Sequence, residues 1–237
     1  MDGAAERRWR GRADLRLLTA DRTGDLVGPC APCVFWQTVP HNGHGVAPDA
    51  DVLLAEWVAT VADDWGPPGR VAYLDDQPVG HLLLAPARHV PRLAAFPTSP
   101  SDPSTLMLLT ACVAQDAGAS LDRTGAGLRK TLVRAAAKDA LSRGCRAIEV
   151  IGARPAAVDR HPCVLRVSEL EKLGFKVERD HPVYPRLRLD LRTLVTVPEE
   201  LAAHLVRALG RLPGLRPVPQ THPDGATRVR TADEDRG

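Results

Sequence analysis

The sequence predicts an α/β protein of the α+β kind, in which helices flank a central sheet. Segment 70–85 alternates strand, tight turn and strand, which is the pattern of a β-hairpin. The run 105–113 is nearly all apolar, as expected for a central strand covered on both faces. It is followed by a turn containing Gly125 and Gly127, and then by an amphipathic helix pattern that continues to Arg143.

The remaining elements follow from local patterns taken in chain order. Before the hairpin we expect a strand at 15–19, a helical turn at 20–26 and a helix at 49–64. Asp49 or Asp51 stands where an N-cap residue is favoured. The hairpin itself is predicted as strands at 70–74 and 79–85 joined by a turn at 75–78. After it we expect a loop at 86–103 with at most one short helical piece, and later a strand at 146–151, a helix at 167–173, a strand opening at 174–177 and a half-exposed strand at 187–191.

The chain divides by composition into four parts. Residues 1–12 are polar and arginine-rich and are predicted to be a disordered arm. Residues 13–192 hold the periodic segments and form the predicted domain. A C-terminal helix is expected within 193–210, because 198–209 is amphipathic, begins with Pro198 and is followed by Gly210. Residues 211–237 lack periodicity and are predicted to be a disordered tail.

Composition limits the classes of function. The chain has 237 residues, 44% of them hydrophobic, which is enough for a sizeable core. The formal net charge is only +2, so charge gives no argument for nucleic-acid binding. No apolar run approaches the length of a membrane span. We therefore expect a cytoplasmic protein with neither a nucleic-acid nor a membrane partner.

The five cysteines are an odd number and no secretion signal accompanies them, which favours reduced thiols. Cys30-Ala-Pro-Cys33 has a spacing found in metal and redox sites. His41, His44, His161 and Cys163 are residues that would complete a tetrahedral zinc site if the fold brought them close. Two ordinary thiols are the favoured interpretation of Cys30 and Cys33, and no metal is predicted.

The glycines of the turn have a chemical interpretation. Gly125 and Gly127 lack Cβ atoms, so successive backbone N–H groups can close around an anion at a helix N-terminus. A P-loop would place Lys and Ser or Thr after the last glycine, but Leu-Arg-Lys follows Gly127. A dinucleotide-binding turn would carry a third glycine where Lys130 stands. The alternative that remains is a tight turn without a ligand.

Two motifs carry a family resemblance. Asp122-Arg-Thr-Gly-Ala-Gly127 is similar to the Arg/Gln-x-x-Gly-x-Gly/Ala turn of the GNAT superfamily of acetyl-CoA-dependent N-acetyltransferases, and Glu171-Lys-Leu-Gly-Phe175 resembles the end of its Tyr-x-x-x-Gly-Phe element. Residues 33–36, 133–140 and 181–190 resemble an actinobacterial branch of that superfamily. The resemblance covers residues 15–191. It implies a mixed, mostly antiparallel, twisted sheet flanked by helices, with acetyl-CoA as co-substrate.

The resemblance also implies positions for the cofactor. Backbone amides of the turn would hold the pyrophosphate of coenzyme A, with Arg123 or Arg129 supplying positive charge because Asp122 stands at the family's arginine position. The turn residues concerned are Arg123, Thr124, Gly125, Ala126, Gly127, Leu128 and Arg129. The backbone near the end of the central strand would bind the pantetheine arm, through Ala111, Cys112, Val113 and Ala114.

The catalytic groups are less well defined by the resemblance. Leu170 stands where the family commonly has the tyrosine that protonates the departing thiolate. Ser168, Cys163 and Tyr184 are candidate substitutes. Candidates for the base are Glu149, Asp116 and His81.

The predicted function is transfer of an acetyl group from acetyl-CoA to a primary amine by direct attack, with no covalent enzyme intermediate. The acceptor would be a small molecule or a protein amine, and the enzyme a monomer or a homodimer. The alternative is a catalytically weak acyl-CoA-binding protein with a regulatory or interaction role, since both Asp122 and Leu170 depart from the family pattern.

Overall fold

Seven strands form one sheet in the computed structural model, which describes residues 13–28, 30–31, 33–39, 49–114, 125–157 and 163–192. The order across the sheet is β1-β2-β3-β4-β5-β7-β6. The strands are β1 (Asp14–Leu17), β2 (Gly69–Leu74), β3 (Gln77–Pro86), β4 (Leu106–Val113), β5 (Ala147–Ile151), β6 (Lys176–Arg179) and β7 (Arg186–Asp190).

Within the described part of the chain, β4 and β5 pair in parallel and every other neighbouring pair is antiparallel. The sheet is therefore mixed and mostly antiparallel, with helices on it, and the predicted fold class is confirmed.

Three α-helices lie in the described residues: α1 (Ala50–Asp64), α2 (Gly125–Ser142) and α3 (Val167–Lys172). Asp49 occupies the N-cap position of α1, and α2 begins at Gly125, as the sequence predicts. Shorter 3-10 helices lie at Ala20–Asp25, Ala87–His89, Pro91–Ala95 and Pro155–Ala157. None of the described helices is long and apolar enough to cross a membrane.

Two local predictions were wrong in detail. The loop 86–103 contains two 3-10 helices rather than at most one, partly because Pro91 begins the second with a φ suited to a helical start. The hairpin turn is shorter than the predicted 75–78. Asp75 and Asp76 have φ of 50° and 58°, as in a two-residue type I′ turn, so β3 already starts at the next residue. The other predicted elements agree with the observed bounds to within about two residues.

The sheet has a hydrophobic core on each face. On one face the core is formed by α2 and α3 with alternate strand residues, including Leu132, Ala136 and Leu170. On the other face it is formed by α1 with an aromatic group, including Val58, Trp36 and Phe96. β4 therefore lies between the two cores, as its near-continuous apolar sequence predicts.

A β-bulge interrupts β4. Leu83 of β3 pairs with Thr110 whereas Leu84 pairs with Leu108, so Leu109 is an extra residue in β4. Leu108 and Ala111 then belong to the same core, although an unbulged strand would turn residues three apart to opposite faces. The bulge therefore changes which side chains of β4 face α2 near the end of the strand.

Several sequence predictions lie outside the described residues. These are the arm at 1–12, the C-terminal helix and the tail within 193–237, and part of the glycine turn at 115–124. The described residues all belong to one compact unit, Met1–Val195.

Candidate functional site

The two parallel strands at the centre of the sheet share only a short pairing. Among the described residues, β4 and β5 share a single register pair, Met107 with Glu149. The rest of β4 runs on with β3 as its partner on one side only. The resemblance implies that these strands splay apart to admit the pantetheine arm, and this stays a prediction. We call the side of β4 beyond the Met107–Glu149 pair, where no further register pair with β5 is described, the gap.

At the end of β4, the main-chain N–H and C=O groups of successive residues point alternately toward β3 and toward the gap. The Ala114 N–H donates to the Val79 carbonyl at 2.9 Å, so Ala114 and Cys112 direct their polar groups toward β3. By the same alternation Ala111 and Val113 direct theirs toward the gap. Main-chain groups that have no strand partner are available to a ligand that adds alongside β4.

Arg129 reaches into this gap from α2. Its Nε donates to the Ala111 carbonyl at 3.0 Å, and its Nη1 lies 3.6 Å from Glu169 Oε2 on α3. The predicted role of Arg129 was to supply charge to a pyrophosphate. In the structure its guanidinium connects the end of β4 to α3, beside the carbonyl predicted to bind pantetheine, and its role toward a pyrophosphate stays a prediction.

The start of α2 is open at Gly127. A Cβ added there would meet no atom of the described residues within 4 Å, and Gly127 does not have a left-handed φ. The fold itself therefore does not require glycine at this position, which leaves close approach of a ligand as a reason for it. Leu128 is buried in the α2 core, as its place on the predicted apolar face requires. Asp122, Arg123 and Thr124 lie outside the described residues, as do the side chains of the first two helix residues, Gly125 and Ala126.

Glu149 is buried and neutralised by arginines. It is 5% exposed, with Arg188 Nη1 2.8 Å from Oε1 and Arg186 Nε 3.1 Å from Oε2. It lines a cleft of about 440 Å³, together with Arg88, Arg143 and Arg146 among others. Because Glu149 pairs with Met107, it lies roughly 13 Å along the sheet from Ala111 at a rise of about 3.3 Å per residue. The structure does not bring this base candidate to the end of β4.

The other catalytic candidates occupy separate places. Ser168 is exposed on α3 and lines a second cleft, of about 460 Å³. The half-buried Tyr184 packs its ring against Phe96, with the ring centroids 5.1 Å apart. Asp116 lies outside the described residues. Leu170 is fully buried in the α2 core, so the position of the family's tyrosine contributes only packing.

His81 is a fully buried polar residue of β3 and lies on the face of the sheet opposite α2. Its Nδ1 accepts a hydrogen bond from the Val27 N–H at 3.2 Å, while Nε2 has no partner within the described residues. Nδ1 is therefore occupied as an acceptor, and the role of His81 as a base stays a prediction. The buried Thr110 hydroxyl likewise lacks a partner in the described structure, and sequence reasoning missed it.

Two cysteines, Cys112 and Cys30, lie near His81. Cys112 lies opposite His81 in the register of β3 and β4, and Cys30 is its hydrogen-bonding neighbour. This hydrogen bond, aided by the nearby His81, lowers the pKa of Cys112 to about 5. Among the residues that the structure describes, no group of three or more His, Cys, Asp or Glu is arranged to hold a metal ion. His41, His44 and His161 are not among them.

No protein-family model matches the sequence, and no curated protein matches it. The chain is similar to solved structures. One is the PaiA N-acetyltransferase from Thermoplasma acidophilum in complex with coenzyme A, with 14% identity, a TM-score of 0.48 and coverage of 76% of this chain and 99% of that chain. A second is an N-acetyltransferase from Staphylococcus aureus Mu50, with 15% identity, a TM-score of 0.47 and coverage of 76% and 99%. A third is the aminoglycoside acetyltransferase AAC(6')-Ib in complex with coenzyme A, with 17% identity, a TM-score of 0.47 and coverage of 76% and 95%.

Proposed function

We propose that this chain is an N-acetyltransferase of the GNAT superfamily, which transfers the acetyl group of acetyl-CoA to a primary amine by direct attack. The observation that carries the proposal is that β4 and β5 share a single register pair, Met107 with Glu149, among the described residues. The bulge at Leu109 precedes the gap and α2 follows β4 along the chain. The strand β4, the gap beside it and the start of α2 follow one another in this order. This order supports the function that the two sequence motifs imply.

The residues of the gap fit an amide-containing ligand. Pantetheine carries two amides, and the main-chain groups of Ala111 and Val113 point to the side from which it would add. Arg129 already donates to the Ala111 carbonyl, so a ligand that pairs with this carbonyl would share or displace that bond. The open N-terminus of α2 at Gly127 suits an anionic group at the other end of such a ligand.

The chemistry needs few protein groups. Acetyl-CoA supplies the acetyl group as a thioester, which a neutral amine attacks at the carbonyl carbon while coenzyme A leaves as a thiolate. Both oxygens of Glu149 lie beside arginines, Oε2 beside Arg186 and Oε1 beside Arg188, so this carboxyl group is already paired and lies away from the end of β4. Ser168, Tyr184 and Asp116 stay candidates for proton transfer, and Leu170 supplies no hydroxyl.

The proposal also includes the catalytic domain, the acceptor, the cellular compartment and the oligomeric state. Residues 13–192 would form the catalytic domain. The acceptor would be a small-molecule or protein amine, and the enzyme would work in the cytoplasm as a monomer or a homodimer.

Two measurements on the full chain test the proposal together. Calorimetric titration with acetyl-CoA should show saturable binding, and a thiol-release assay against a panel of primary amines should show turnover with at least one of them. Binding without release of thiol from any amine would instead favour an acyl-CoA-binding protein without catalysis. Failure to bind acetyl-CoA at all would overturn the proposal.

A further inference from the structure

Two cysteines that are far apart in sequence come into direct contact. The Sγ atoms of Cys33 and Cys163 are 2.8 Å apart, although 130 positions separate these residues. Neither cysteine is part of a disulfide in this structure. Cys33 is half-buried and Cys163 is 6% exposed, so the contact lies just beneath the surface. Two sulfur atoms that merely touch stay farther apart than this.

The fold holds the two backbones in place around the contact. The indole Nε1 of Trp36 donates to the Cys163 carbonyl at 3.2 Å, and Trp36 itself is buried and stacks on Phe96 at 5.5 Å. The Cys33 N–H donates to the Cys30 carbonyl at 3.2 Å, which closes the turn on which Cys33 lies. An S–S bond of about 2.05 Å would need the sulfur atoms to approach by only about 0.8 Å more.

Cys163 lies beside two thiols that hold their protons. The hydrogen bond with Cys163, reinforced by burial, raises the pKa of Cys33, and either sulfur of this contact can be the donor. Hydrogen bonds with Cys112 and then Cys163, together with burial, also raise the pKa of Cys30. We therefore take Cys163 as the sulfur of the contact that attacks an oxidant.

We propose that Cys33 and Cys163 form a reversible disulfide when the protein meets hydrogen peroxide. The Cys163 thiolate attacks one peroxide oxygen, the O–O bond breaks, and the products are Cys163 sulfenic acid and hydroxide, which takes up a proton to become water. The Cys33 sulfur then attacks the sulfenic sulfur, the S–O bond breaks and a second water leaves. Two thiols are oxidised by two electrons, and one peroxide is reduced to two waters.

The disulfide would join two segments that flank different strands. Cys33 follows β1 and precedes α1, whereas Cys163 lies between β5 and α3. A cross-link that encloses 130 positions restricts the unfolded chain strongly, so the oxidised protein should melt at a higher temperature than the reduced one. This inference is independent of the proposed acetyltransferase function.

The test combines peptide mapping with single-cysteine variants. Wild-type full-length protein is treated with hydrogen peroxide, alkylated, digested with trypsin and analysed by mass spectrometry. Cleavage after Arg160 and Arg166 puts Cys163 on a six-residue peptide, whereas Cys30 and Cys33 share one peptide. A cross-link between these peptides, absent from C33S, retained in C30S and reversed by dithiothreitol, is the expected result.

Cys145 provides the matched control, since it lines the separate cleft beside Trp65. The variant C145S should form the same cross-link as wild type, and its oxidised form should show the same rise in Tm over the reduced form. A link that persists in C33S and is lost in C30S would overturn the proposal, as would free alkylation of both Cys33 and Cys163 after peroxide treatment. Zinc that co-purifies in stoichiometric amount and blocks alkylation before any oxidant is added would overturn it as well.

Discussion

Replacing Gly127 by aspartate should leave the fold intact and greatly weaken binding of coenzyme A. Gly127 is the third residue of α2, and an added Cβ there meets no atom within 4 Å in the part of the chain that the structure describes. Gly→Ala within a helix stabilises by up to about 1 kcal/mol, and a carboxylate in the first turn is favoured by the helix dipole by about 0.3–1 kcal/mol. The Tm of Gly127→Asp should therefore stay the same or rise by up to about 4 °C.

Binding should change in the opposite direction. A carboxylate about 5 Å from a pyrophosphate charge costs between about 1 and 3 kcal/mol, as the effective dielectric constant falls from 80 to 20. A loss of about 2 kcal/mol corresponds to a roughly thirtyfold weaker Kd. Calorimetric titration with coenzyme A measures this Kd, and a thermal melt of the same sample measures the fold.

Two further variants separate charge from size. Gly127→Ala adds a methyl group without charge, so a smaller loss of affinity is expected. Lys138→Gln removes one positive charge from the exposed side of α2, about 16 Å along the helix and beyond the Debye length, and should leave the Kd unchanged. A folded Gly127→Asp protein with wild-type affinity would refute the placement of the pyrophosphate at the start of α2.

Three other predictions follow from single contacts. Glu149→Gln leaves Arg186 and Arg188 without their carboxylate and should destabilise by about 3 kcal/mol in urea denaturation; unchanged turnover across pH would also exclude Glu149 as the base. Thr110→Val removes a buried hydroxyl that lacks a partner among the described residues and should raise stability by about 1 kcal/mol, and a simultaneous fall in kcat/KM would indicate that this hydroxyl contacts a substrate. Burial, followed by the hydrogen bond to Asp25, raises the pKa of Tyr73 to about 12, so the unfolded state loses this proton first, and stability should fall as pH rises from about 10 to 12. Tyr73→Phe should abolish that alkaline decline in denaturation experiments, and a decline of the same size in the variant would assign it to another group.

Much of the local structure was predictable because it depends on near neighbours in sequence. The apolar run of β4, the helical spacing after Gly125 and the hairpin at 70–85 each carry a periodicity that a single segment displays. The hairpin turn was the exception in detail, since two aspartates adopt the left-handed conformation that glycine or asparagine more often signals. The splaying of β4 from β5 is implied by the family resemblance and not by periodicity, and it stays a prediction.

The partners of individual side chains depended on the tertiary structure. Glu149 meets Arg188 because the register of β5 and β7 places them opposite each other, and no local pattern encodes that register. His81 Nδ1 accepts a hydrogen bond from the Val27 N–H, 54 positions away, and no local pattern predicts this contact.

The sequence by itself determined where the strands and helices lie and that a glycine turn opens a long helix after a buried strand. Only the tertiary structure decided that Cys33 touches Cys163, that Arg129 reaches the end of β4 and that Leu170 is buried in the core. The physical reason is that periodicity reports the burial of one segment's face, whereas these contacts join segments whose relative position is set by the register of the sheet and the packing of its two cores.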